Sequence, residues 1–190
     1  MNDVANDGST AGRRDGSILG AHTVATPDEM ERLGLRIAGR LRAGDLLVLT
    51  GPLGAGKTTL TRGIGEGLGV RGPVTSPTFV LARTHPSLAG GPQLVHVDAY
   101  RLGDAIELDD LDIDFVGSVV VVEWGEGMLD GVAQSWLDVV IERPMGAAEG
   151  SVDAGDVDAA IDAAGVDAVE IDAAEEPRTV TVTAHGPRWS

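Results

Sequence analysis

Residues 45–61 read DLLVLTGPLGAGKTTLT. Leu46 to Thr50 is an apolar run of strand length, and Lys57 onward, KTTLTRGIGEGL, has the character of a helix. Between them Gly51, Gly56, Lys57 and Thr58 fit the spacing G-x-x-x-x-G-K-[ST], the phosphate-binding loop that joins a strand to a helix. The spacing has a physical basis. Glycines let the backbone curl tightly enough to aim several N–H groups at one anion. The helix adds its own free N–H groups and the positive end of its dipole. Lys57 then supplies a full charge to the β- and γ-phosphates, and Thr58 a hydroxyl for Mg²⁺. The chain is glycine-rich, with 27 of 190 residues, so the spacing alone is weak. The flanking strand and helix make it specific, and a nucleoside triphosphate site over Gly54, Ala55, Gly56, Lys57, Thr58 and Thr59 is the expectation.

Further along, two more apolar runs end in an acid: QLVHVD at Gln93 to Asp98 and VVVVE at Val119 to Glu123. Continuous apolar runs, as opposed to alternating ones, mark strands covered on both faces, as in a largely parallel sheet. Ligands of such sheets sit at the carboxyl ends of the strands. The loop after Thr50, Asp98 and Glu123 are therefore three probes into one site. One of the two acids is suited to hold Mg²⁺ with Thr58, the other to orient, or take a proton from, an attacking water. An acid at a strand end in solvent is the plainer reading of either. His96 lies two residues before Asp98 and shares its face; it is either a partner of these acids or a packed core histidine. Trp124 stands at the rim, where its ring could stack on a base or close the core edge.

The remaining elements are read in the same way. Ile18 to Ala25 is a short strand. Thr26-Pro27-Asp28-Glu29 starts a helix, with Thr26 as N-cap, Pro27 in the first turn and Glu29 closing a capping box. Met30, Leu33, Ile37 and Leu41 form its core stripe, and Gly44 is its expected end. Gly63, Gly65 and Gly67 each cost the second helix about 1 kcal/mol against Ala, so packing must hold it. Ser76 precedes a proline and is barred from helix; a loop there feeds a strand at Phe79 to Arg83. Pro86 to Pro92 is a turn, and Asp104 to Leu111 a short helix. Ser135 to Arg143 and Arg178 to Ala184 are two strands, the second alternating and so exposed on one face.

Charge and composition narrow the function. Net charge is −16 from 14 basic and 30 acidic residues, which disfavours a direct grip on nucleic acid, where Lys and Arg supply the affinity. Cysteine is absent, so disulfides, thiolate metal sites and cysteine nucleophiles are excluded. No apolar run approaches the ~18 residues of a membrane span, and the N-terminus lacks a signal-peptide core; a cytoplasmic protein is expected. Residues 147–176 hold ten acids and no Lys or Arg, hence −10 of the −16. Low complexity and charge of one sign read as a disordered insertion between two strands, with a weak acidic helix over VDAAIDAAGVDAVEI as the alternative. The expected organisation is a disordered tail over 1–18 and one domain over 19–188 interrupted by that insertion. The expected fold is α/β, a three-layer P-loop NTPase with a mostly parallel central sheet and an antiparallel C-terminal hairpin.

Four stretches in register, GPLGAGKTTLTRG at 51–63, SPTF at 76–79, HVDAYRL at 96–102 and VEWGE at 122–126, resemble the TsaE family, bacterial P-loop ATPases of tRNA threonylcarbamoyladenosine formation. The resemblance covers about residues 20 to 145 and the strand from Arg178. It implies ATP and Mg²⁺ as cofactors, and a TsaB–TsaD pair as partners, reaching tRNA only through them. By position it implies that Lys57 holds phosphates, Thr58 and Glu123 bind Mg²⁺, and Asp98 is the acid needed for hydrolysis. Thr78 falls in a nucleotide-sensing loop, Trp124 beside the base and Arg178 near the nucleotide. The tail, the acidic insertion and Met30, where many relatives carry a hydroxyl, depart from the pattern. Two rivals stand beside this reading: a small-molecule P-loop kinase, which should show an Arg-rich lid, and a nucleotide-dependent binding module with incidental hydrolysis.

Overall fold

Three stretches, 46–50, 93–98 and 119–123, are apolar almost without a break, so they must stack side by side under cover. In the computed structural model, which describes residues 17–77, 80–102, 107–108, 111–127, 133–143 and 177–189, they do so within a seven-stranded sheet. The strands are β1 (Gly20–Val24), β2 (Leu46–Thr50), β3 (Ala82–His85), β4 (Gln93–Asp98), β5 (Ser118–Glu123), β6 (Trp136–Glu142) and β7 (Arg178–His185). Their order across the sheet is β1-β7-β6-β2-β5-β4-β3. The central four, β6-β2-β5-β4, run parallel, while β7 pairs antiparallel with both β6 and β1, and β3 antiparallel with β4. The parallel centre and the antiparallel C-terminal hairpin are as the apolar and alternating patterns foretold; the antiparallel edges β1 and β3 were not foreseen.

Two helices, α1 (Pro27–Ala38) and α2 (Lys57–Gly67), cover one face. Met30, Leu33 and Ile37 of α1 and Leu60 and Ile64 of α2 are fully buried against Leu47, Leu49, Leu94, Val121 and Val139. Each such side chain contributes about 1.5–3 kcal/mol by leaving water. The other face, Leu46, Val48, Val95, Val97, Val120 and Val122, is covered by Leu102, Leu108, Leu111, Ile113 and Phe115, which makes the third layer. Among the described residues no helix is long and apolar enough to cross a membrane.

The start of α1 follows its signature at the cap, where Thr26 Oγ1 accepts from Glu29 N at 3.2 Å, while Glu29 Oε2 accepts from Ala25 N at 2.7 Å, one residue before the N–H that a capping box uses. Its end does not. The helix stops at Ala38 with Gly39 as cap, and Arg40 N turns back onto Ile37 O at 2.9 Å. Gly39, a poor helix residue, releases the chain five residues before Gly44, while Leu41 still packs on the core. Gly44, at φ +90°, instead makes the turn into β2. The third strand is also displaced. Leu81 takes φ +63°, so extended pairing begins only at Ala82 and the strand runs to His85, not from Phe79 to Arg83. Phe79, most of the expected 104–111 helix, residues 1–16 and the 147–176 insertion lie outside the described residues.

The glycines of α2 have a packing cause. A Cβ on Gly63 would overlap the Glu31 carbonyl, one on Gly67 would come within 2.5 Å of the Ala38 Cβ, and one on Gly65 within 2.6 Å of Val74. Reciprocally, a Cβ on Gly34 of α1 would lie 2.5 Å from the Leu60 carbonyl oxygen. The helices touch backbone to backbone, and this close contact fixes where the first turn of α2 sits relative to the sheet.

Candidate functional site

At the carboxyl end of β2 the chain turns through Gly51–Gly56 into α2. Gly54 and Gly56 adopt φ +71° and +108°, conformations that side chains resist. Ala55 is fully buried and anchors the loop, its N–H bonded to Pro52 O at 3.1 Å. Gly51 cannot carry a side chain because its Cβ would lie 2.6 Å from the Ile141 carbonyl of the neighbouring strand. No side chain caps α2; its first backbone bond is Leu60 N to Gly56 O at 2.9 Å, which leaves the N–H groups of Lys57, Thr58 and Thr59 to the loop concavity. An uncapped helix start behind a glycine loop is suited to an anion.

Lys57 folds back over this loop. Its Nζ donates to Gly51 O at 2.7 Å and Pro52 O at 3.1 Å, and lies 3.7 Å from the centroid of the Trp124 ring. Burial pulls the ammonium below its ordinary pKa, and the charges of Glu123 and Asp98 act against that. The charges of both acids thus act on the lysine. They reach it because β4 and β5 are parallel neighbours with Asp98 and Glu123 in register, and β5 lies beside β2.

Glu123 is nearly buried and is held from two sides. Thr58 Oγ1, on the first turn of α2, donates to its Oε1 at 3.2 Å, and His96 Nε2, on β4, lies 2.8 Å from the same oxygen. A carboxylate only accepts, so this ring nitrogen carries the proton. His96 is completely buried, and its Nδ1 has no partner among the described residues, a vacancy that ordinarily costs about 1–3 kcal/mol. Asp98 Oδ1 accepts from Tyr100 N at 3.1 Å, which begins a 3₁₀ turn and leaves Oδ2 unused by it. Among the described residues no trio of His, Asp or Glu forms a ready metal cage. A P-loop magnesium ion needs none, since it takes one or two protein oxygens and completes its shell with phosphate and water. Thr58 and Glu123 fit that requirement.

The opposite rim of the loop is basic. Arg143, just past β6, donates from Nη2 to Gly54 O at 2.6 Å. Arg178, opening β7, brings Nη1 within 3.9 Å of where a Gly56 Cβ would stand. Burial and then the charge of Arg143 depress the Arg178 pKa. Two guanidinium groups facing one loop repel each other unless an anion lies between them. The resemblance places Arg178 here, whereas Arg143 is not among the expected site residues, although it follows a strand adjacent to β2. Trp124 has the left-handed φ of +64°, with its N–H on Leu49 O at 3.1 Å and Tyr100 edge-on at 5.7 Å. Its ring rests on the lysine, at the phosphate end of the loop. Thr78 lies outside the described residues.

Comparison with known proteins agrees in kind. A family model described as "Threonylcarbamoyl adenosine biosynthesis protein TsaE" matches residues 24–149. A protein of Streptomyces coelicolor called tRNA threonylcarbamoyladenosine biosynthesis protein TsaE is 52% identical over 164 residues, covering 85% of this chain and 94% of its own length. The Bacillus subtilis protein of the same description is 40% identical over 118 residues, 62% of this chain and 73% of its own. The crystal structure of Bacillus subtilis YdiB superposes with a TM-score of 0.58 at 31% identity, covering 89% of this chain and 87% of that one.

Proposed function

Because the chain belongs to the TsaE family of threonylcarbamoyladenosine biosynthesis proteins, we propose that it is the Mg²⁺-dependent ATPase of that tRNA modification, hydrolysing ATP while bound to a TsaB–TsaD pair. The observation that supports this most is the convergence of Lys57, Thr58, Asp98 and Glu123 on one glycine loop, with Glu123 already bonded to Thr58.

The division of labour we infer draws on both the geometry and the family resemblance. Backbone N–H groups of Gly54 to Thr59 and the Lys57 ammonium take the phosphates, exchanging the Gly51 and Pro52 carbonyls for oxygens of higher charge. Thr58 and Glu123 hold the magnesium, which when bound neutralises charge on the β- and γ-phosphates. Arg143 and Arg178 close the other side of the loop. Trp124, freed when the phosphates draw the lysine away, is assigned to the base, and Thr78 to the loop that senses the γ-phosphate. Asp98 is the acid that works in the chemical step. As a water oxygen bonds to the γ-phosphorus, the bond to the ADP oxygen breaks and its electron pair leaves with ADP, while the water's proton passes to the Asp98 carboxylate.

An acidic chain of net −16 meets tRNA poorly by itself, which fits work done through partners. The decisive assay is phosphate release from ATP by the purified chain alone and with TsaB and TsaD. Slow turnover that the pair accelerates supports the proposal. Absence of phosphate release with and without the pair, or transfer of the γ-phosphate to a metabolite instead of water, overturns it.

A further inference from the structure

Below the two acids, the strand face that carries His96 is apolar: Leu94 precedes it, Val121 lies opposite it on β5, and Leu60 and Ile64 of α2 cover this side. An imidazole gains nothing there from solvent, and its Nδ1 has no partner among the described residues. An aliphatic side chain would fill the place without that cost. What the histidine offers in return is one N–H aimed at Glu123 Oε1 from 2.8 Å.

That donor has a mechanical consequence. The terminal torsion of a glutamate is broad and roughly two-fold, so a carboxylate held by one partner rotates. Here Oε1 takes Thr58 from the helix side and His96 from the strand side. Two donors fixed to different elements pin that oxygen and leave Oε2 as the free one. From this we propose that His96 is a positioning residue, which orients the Glu123 carboxylate so that Oε2 is presented to the divalent cation of the nucleotide. The inference rests on the reading of Glu123 as a metal ligand. Partners behind a ligand commonly set metal affinity as much as the ligand itself.

The test compares His96→Gln with His96→Met in the full chain. The two replacements match in length and differ in the N–H donor, so a defect of packing strikes both. Binding of Mn²⁺ to the ADP complex is followed by electron paramagnetic resonance, and binding of metal-free ADP by calorimetry. Positioning predicts a Mn²⁺ dissociation constant raised about 10–100-fold in His96→Met, recovery of most of that loss in His96→Gln, and metal-free ADP affinity unchanged in both. Equal Mn²⁺ binding by the two variants, whether normal or weakened, overturns the proposal, as does a parallel loss of metal-free ADP binding in His96→Met alone. Glu123→Ala separates the two layers of the argument. If it binds Mn²⁺ normally, the metal reading of Glu123 has failed and this inference falls with it. If it binds weakly while His96→Met binds normally, only the positioning role is lost.

Discussion

Replacing Gly34 by alanine pits helix propensity against packing, and the two disagree in sign. Seen along α1 alone, Gly34→Ala should stabilise, because alanine is about 1 kcal/mol better than glycine in a helix interior. Seen across the α1–α2 contact it should destabilise. The new Cβ would stand 2.5 Å from the Leu60 carbonyl oxygen and 2.8 Å from Ile64 N, both backbone atoms that cannot swing aside. Real Cβ contacts essentially never fall under 3.0 Å, so the helices must part by at least about half an ångström. A gap of ~0.5–1 Å forfeits a quarter to a half of each dispersion contact across the seam, and overpacking of this kind costs about 1–3 kcal/mol. Set against the propensity gain, the net is a loss of up to about 2 kcal/mol.

Urea denaturation reads this directly as a lower midpoint at unchanged slope. Gly63→Ala, whose Cβ overlaps the Glu31 carbonyl in the same seam, should act in the same direction. The double variant should cost less than the sum, since one separation relieves both clashes and neighbouring sites couple. Because α2 begins at Lys57, moving it should also weaken ATP binding. A Gly34→Ala protein more stable than the wild type would refute the account of α2 as a helix held by close backbone contact.

Lys57→Ala should weaken ATP binding at least about tenfold in calorimetry, the worth of one charged hydrogen bond, with the fold retained. Asp98→Asn keeps size and removes the base; turnover with the partner pair should fall about 10²–10⁴-fold while ATP affinity in a binding assay stays near wild type. Arg143→Ala should weaken ADP binding about 3- to 10-fold and, by removing the like charge beside it, leave Arg178 in place. Burial holds the His85 pKa below its ordinary 6.5, chiefly by desolvation. The folded state therefore resists a proton that the unfolded chain accepts: stability is full above pH 6.5 and falls as pH drops towards the folded pKa, by at most about 1.4 kcal/mol per pH unit. His85→Asn should flatten the part of the acid limb of a stability–pH profile that begins at 6.5.

What could be read from the chain, and what could not, divides along the range of the forces involved. The loop at 51–58, β4 and β5 were legible because each is decided locally, by a fixed spacing or by an apolar run that only a covered strand tolerates. Asp98 and Glu123 were then found by one topological rule about strand ends. The end of α1 was misplaced because Leu41 keeps the apolar stripe going after Gly39 has released the helix, and a stripe cannot distinguish helix from a turn that packs on the same core. β3 began late because of a left-handed Leu81, a conformation that leucine does not advertise. Gly63 and Gly34 looked like liabilities, since the backbone that requires them belongs to the other helix. Arg143 and His96 mark the same boundary within the site. Arg143 has no motif, and His96, although it opens the stretch HVDAYRL, stands there between two readings; the contact that decides each comes from an atom far away in sequence, the Gly54 carbonyl 89 positions earlier and the Glu123 carboxylate 27 positions later. Local pattern thus identifies the groups proposed to meet phosphate and metal, and tertiary contact identifies their neighbours. On the proposed role of His96, a change behind the acid should reach the metal through the orientation of the Glu123 carboxylate.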